Sequence, residues 1–153
     1  MSKIIKLEKS LQLKTNIGEI YTRDQEIKYI NQLYLGAPNK ILTPLIKKKL
    51  SSYRQQDLTK KRHDQDKLIT LDETVELLVA SQLKCHYCRQ EVQITGDKRR
   101  EKRQWTLDRI DNNLGHFGNN VVIACLDCNL KRRCIDKEKF LFTKRLRVKK
   151  GES

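Results

Sequence analysis

The chain has 153 residues, 37% hydrophobic and 6% aromatic, with 33 lysines and arginines against 19 acids and a formal net charge of +14. That length fits one domain, or one small domain with an appendage, and the composition argues against a large self-sufficient core, so a staple is expected. The charge points to a polyanionic partner, nucleic acid ahead of an anionic membrane surface, and no apolar run is long enough to span a bilayer.

Residues 1–22 alternate irregularly and read as a short strand pair or a loosely packed arm. From Asp24 to Leu35, the positions Ile27, Ile30, Leu33 and Tyr34 follow helical spacing, and Gly36 and Pro38 end the segment. Ile41 to Leu58 reads as a second helix with Ile46, Leu50 and Tyr53 on one face, and Pro44 is tolerated in its first turn. Residues 59–67 are almost wholly polar and could continue that helix or form a linker. Thr70-Leu-Asp-Glu73 is a capping box that opens a helix with Val75, Leu78 and Val79 on its apolar face. Glu91 to Thr95 reads as a short strand, and Gly96 to Arg103 as a basic loop. Gln104–Ile110 and Asn120–Ala124 read as two strands joined by a glycine- and asparagine-rich turn. A helix from Leu126 and a second from Lys137 to Arg147 complete the chain. This divides it into a basic helical region (1–69) for DNA binding or dimerisation, a cysteine-stapled module (70–135) and a C-terminal basic helix and tail (136–153).

The cysteines carry the most specific signal. Cys85-His-Tyr-Cys88 and Cys125-Leu-Asp-Cys128 form two CxxC knuckles. Their four thiolates suit a closed tetrahedral zinc site of structural type. Such a site contributes roughly 10–16 kcal/mol of apparent binding free energy and lowers the formal charge by about two. His86 is expected to be exposed and Cys134 to be a packed thiol. Five cysteines without an apolar leader at Met1–Lys6 argue against a disulfide framework. The expected setting is intracellular (cytoplasm, nucleus or a virus-infected host cell) and not secreted.

Between the knuckles lie Leu107-Asp-Arg-Ile-Asp111 and Gly115-His-Phe-Gly-Asn-Asn120, and Asn129 follows Cys128. Asp108 offers an anionic oxygen and Asn129 a neutral one, which suits a hard divalent cation. This run resembles the HNH endonuclease signature over residues 83–133. The zinc-framed form is similar to phage recombination endonucleases. The Asp-Arg pair is similar to rare-cutting restriction enzymes and viral homing-type HNH proteins. The resemblance implies an α+β fold, a ββα-metal core with a four-cysteine zinc site and flanking helices. It implies Mg2+ or Mn2+ held by Asp108 and Asn129, and Asn120 bracing the hairpin.

One position departs from the family. Arg109 stands where most HNH enzymes carry a histidine base. Arginine cannot accept a proton but can clamp a phosphate. His116, in the hairpin loop, is then expected to be the base, with Asp111 or a metal-bound water as the alternative. The resemblance further implies double-stranded DNA as partner, and a homodimer is compatible with it. Backbone contacts are expected from Arg99, Arg100, Lys102, Arg103, Lys131, Arg132 and Arg133. The alternative function is a non-catalytic zinc-finger protein that binds nucleic acid.

Overall fold

The computed structural model describes residues 21–96, 101–132 and 137–151. Among them are five helices and one two-stranded antiparallel sheet, an α+β arrangement. In chain order these are α1 (Arg23–Tyr34), α2 (Leu42–Thr59), α3 (Leu71–Ala80), β1 (Trp105–Arg109), β2 (Val121–Cys125), α4 (Leu126–Arg132) and α5 (Lys137–Gly151). The arm at 1–20, Arg99, Arg100, Arg133 and Cys134 lie outside the described residues. No helix among the described residues is long and apolar enough to cross a membrane.

Side chains close most helix starts. At α3, Thr70 Oγ1 accepts from the Glu73 amide (3.1 Å) and Glu73 Oε1 accepts from the Thr70 amide (3.2 Å). Thr22 and Gln25 form the same reciprocal cap at α1. Asn39 Oδ1 accepts from the amides of Ile41 and Leu42 at the start of α2. Each satisfies donors that a helix leaves unpaired at its first turn.

The open question at residues 59–67 is settled by a left-handed residue. Lys61 has φ 57°, and the Arg62 amide reaches back to the Asp57 carbonyl at 2.8 Å, which ends α2 at Thr59. The expected strand at 91–95 is not regular. Single bridges join Lys84 to Glu91 and Gln93 to Gln104, and the amides of Ile94 and Thr95 turn instead to the buried Glu26 carboxylate of α1. Those two donors are therefore lost to any ladder.

One buried cluster runs from Ile30 of α1 and Leu42 and Ile46 of α2, through Val75 and Leu78 of α3, to Trp105, Leu107, Ile123 and the cysteines. The boundary expected at residue 69 therefore does not break the core. In the hairpin, Trp105 pairs with Cys125 and Arg109 with Val121. Alternation along β1 separates two faces. From α2, Lys49 Nζ lies 4.6 Å from the Trp105 ring centroid, and Tyr53 Oη accepts the Leu107 amide at 3.1 Å. Thr106 and Asp108 turn toward α4, where Asn129 and Arg132 meet them.

Candidate metal centre and adjacent polar site

The two knuckles converge. Cys85 and Cys88 sit in the loop after α3, Cys125 ends β2 and Cys128 lies in the first turn of α4. All four are buried, and their sulfurs lie within 4.8 Å of one another, so they could hold a metal such as zinc. The backbone supports the sulfurs: the Tyr87 amide donates to Cys85 Sγ and the Cys128 amide to Cys125 Sγ, both at 3.4 Å. Hydrogen bonding from Cys125 and Cys128 draws the Cys85 thiol down from its ordinary value. His86 is half-buried rather than exposed, with its ring edge-on to Tyr87 at 5.3 Å.

Arg103 belongs to this centre. Its Nη1 and Nη2 lie 3.8 and 3.9 Å from Cys88 Sγ, and its Nε donates to the Glu91 carbonyl at 3.1 Å. Half-buried, it braces the first knuckle. Lys102 is exposed. Lys131 is also exposed and pairs with Asp127 at 3.0 Å, an i,i+4 surface contact of little energetic weight.

Next to the sulfurs, Asp108 is 5% exposed and Arg132 only 1%. Arg132 Nη1 donates to Asp108 Oδ2 at 2.8 Å, and Nη2 donates to the Ile110 carbonyl at 3.0 Å. The Tyr87 hydroxyl donates to the same Oδ2. Burial and that carboxylate push the Tyr87 hydroxyl well above its usual range, so it stays protonated. This corrects the expectation that Arg132 contacts DNA: its guanidinium is locked inside the protein by a carboxylate and backbone carbonyls. Its burial has a sequence signature, since Cys128 and Arg132 fall at i and i+4 on one face of α4.

Asn129 Nδ2 donates to Thr106 Oγ1 at 3.0 Å, and Thr106 Oγ1 donates to the Ala124 carbonyl at 2.8 Å. Thr106 and Asp108 are two residues apart on β1, so Asn129 and Asp108 lie on the same side of the hairpin. Each already has a protein partner. A cation there would take Asp108 Oδ1 or displace Arg132.

Asn120 is buried at the base of the hairpin loop. Its Oδ1 accepts the Asp111 amide at 2.9 Å, and its Nδ2 donates to the carbonyls of Asp111 (3.1 Å) and Gly115 (2.9 Å). Arg109 Nη1 donates to the carbonyls of Asn112 (2.7 Å) and Leu114 (3.0 Å), tying the loop to β1.

His116 is 5% exposed and sits against the end of α2. Asp57, itself 2% exposed, accepts the His116 backbone amide on Oδ2 at 2.8 Å, and its Oδ1 lies 2.8 Å from His116 Nδ1. The imidazole stacks on Tyr53, ring centroids 4.3 Å apart. Burial holds the imidazole below its usual pKa, with Asp57 working against that shift. A Cβ on Gly115 would meet Asp57 Oδ2 at 2.7 Å and the Arg62 carbonyl at 2.8 Å, so this close approach needs glycine. Asp57, Lys60, Arg62, Arg109 and His116 line one cavity of about 440 Å3, in which Asp108 and Asn129 take no part. The expected site residues thus fall into two groups. Asp108 and Asn129 face α4, whereas Arg109 and His116 share a cavity beside α2.

A comparison with protein-family models, curated proteins and solved structures finds no match to this chain. Sequence reasoning passed over Asp57 and Tyr87. Asp57 follows Leu42, Ile46, Leu50 and Tyr53 on the core-facing side of α2, where an acid calls for a buried partner.

Proposed function

We propose that the chain is a divalent-metal-dependent DNA endonuclease of the HNH class, framed by structural zinc on Cys85, Cys88, Cys125 and Cys128. One observation carries this reading. A hairpin and the helix after it, joined at the sulfur cage, bring Asp108 and Asn129 to one side, with an arginine and a buried histidine at the hairpin's loop end beside α2.

Asp108 and Asn129 would hold Mg2+ or Mn2+ through oxygen, the donor type such ions select. When bound, the cation supplies charge stabilisation at the leaving 3′ oxygen. His116, kept neutral by burial, takes a proton from the attacking water at Nε2, and Arg109 grips a phosphate oxygen. The products are 5′-phosphate and 3′-hydroxyl ends. The surplus of cations over acids favours a DNA partner, and Lys102 and Lys131, both exposed, would touch its backbone.

A second reading, a zinc-stapled DNA-binding protein without activity, draws on the Asp108–Arg132 ion pair, which already neutralises the carboxylate. Nicking of supercoiled plasmid in Mg2+ separates the two. Asp108→Asn is the better probe than Asp108→Ala, since it retains an acceptor for Arg132. Loss of nicking in Asp108→Asn and Asn129→Ala with binding retained supports the nuclease. Binding without nicking by the wild-type chain supports the second reading.

A further inference from the structure

We propose that Asp57 is a positioning residue: it fixes the tautomer and orientation of the His116 imidazole so that Nε2 faces the cationic cavity as a general base. This deepens the nuclease reading and rests on it. A carboxylate only accepts hydrogen bonds, so the 2.8 Å contact at Nδ1 places the ring proton there and leaves Nε2 as the lone-pair nitrogen of the neutral ring.

Three further features hold the same ring. Asp57 Oδ2 accepts the His116 backbone amide, Tyr53 stacks on the imidazole, and Gly115 allows the loop to close onto α2. Asn120, bonded to the Gly115 carbonyl, fixes the loop from the other side. The charged and titratable groups around the ring are Asp57 and Tyr53 from α2, Lys60 and Arg62 from the turn after it, and Arg109 and Asp108 from β1. Three of these are cations that line the cavity with His116, and together they suit a phosphate of the DNA backbone. The activating carboxylate therefore comes from a helix 59 residues upstream of the histidine, outside the span of the nuclease-like motif. The module that carries the motif would depend on α2 for chemistry as well as for packing.

The test has two arms. Nitrogen-15 spectra of the zinc-loaded wild-type chain at about pH 7 read the tautomer directly. The expected result is a proton on His116 Nδ1 and a bare Nε2; a proton on Nε2 overturns the proposal without relying on any variant. Single-turnover nicking with Mg2+ then compares wild type, Asp57→Asn, His116→Ala and the double variant. The two His116 donors meet different oxygens of Asp57, and an asparagine replaces one of those oxygens by an NH2 donor, so one of the two bonds is lost. Asp57→Asn is expected to slow cleavage by about 10²–10⁴-fold, the range of general-base catalysis, and the double variant to be no slower than His116→Ala. Residual cleavage by Asp57→Asn should show its acid limb at lower pH, since a carboxylate that favours the imidazolium is gone. A cutting wild type with Asp57→Asn within about threefold of it, and the acid limb unmoved, overturns the positioning role alone. A wild-type chain that binds DNA and never cuts overturns the nuclease reading and this inference together.

Discussion

Replacing Arg132 by alanine distinguishes an internal arginine from a DNA-contacting one. In the structure Arg132 is 1% exposed, pairs with Asp108 Oδ2 at 2.8 Å and donates to the carbonyls of Arg109 and Ile110. Removing one partner of a buried ion pair costs roughly 3–5 kcal/mol, because the other charge stays buried. Each backbone carbonyl left without a donor adds about 1–3 kcal/mol unless water reaches it. Water entering the space vacated by the guanidinium satisfies the two carbonyls, so their contribution drops out, and the Tyr87 hydroxyl still bonds Asp108, which leaves the lower part of the ion-pair range, about 3 kcal/mol. That is a large share of the ~5–15 kcal/mol that holds a typical domain together. Urea denaturation of the zinc-loaded protein, followed by circular dichroism, measures it. Salt titration of DNA binding by the still-folded fraction gives the second readout, and its slope should match wild type. A stability loss below about 1 kcal/mol, with a salt slope shallower by about 0.9, would mean that Arg132 neutralises a phosphate and that the internal pair carries no weight.

Chelation of zinc should unfold the described core, since the ~10–16 kcal/mol of such a site exceeds or matches the stability of most small domains; a chelated protein with unchanged circular dichroism would rule out a structural metal. Thr70→Ala removes one half of the capping box at α3 and should cost about 0.5–2 kcal/mol in urea midpoint analysis, with no change in salt slope. Glu26 is buried, and desolvation raises its carboxyl above the ordinary value of 4.5 despite hydrogen bonds from Ile94 and Thr95. A carboxyl raised in the folded state binds its proton more tightly there than in the unfolded chain. Its contribution is therefore full below pH 4.5 and is lost as pH rises through the raised value. The stability of wild type relative to Glu26→Gln should fall with rising pH across that window, and a flat difference would contradict the shift.

Much of the local structure was readable from residue order because it rests on short-range rules. The Thr70 box, the CxxC knuckles and the glycine- and asparagine-rich turn are each set by neighbours within a few residues. The spacing at Ile27, Ile30 and Leu33 places α1 to within one residue at each end. What escaped depends on distant approach. Glu91 to Thr95 has a strand-like pattern, yet Glu26, 68 residues earlier than Ile94, captures its amides. Lys131-Arg-Arg133 reads as a basic surface run, but a single residue step of about 100° around α4 carries Arg132 under the hairpin while Lys131 stays outside. Tyr87 looks unremarkable in sequence, and the roles of Asp57 and Tyr87 emerge only through His116 and Asp108. Periodicity could have flagged Asp57 and Arg132 as polar groups on buried faces, but it could not have named their partners.

Anomalous scattering from Mn2+ in crystals of the protein bound to DNA tests the nuclease reading most directly. The expected result is one manganese peak touching both Asp108 and Asn129 oxygens and a phosphate, with Arg132 displaced from, or sharing, the carboxylate. DNA seated on the protein with the Asp108–Arg132 pair intact and no manganese between Asp108 and Asn129 would contradict it.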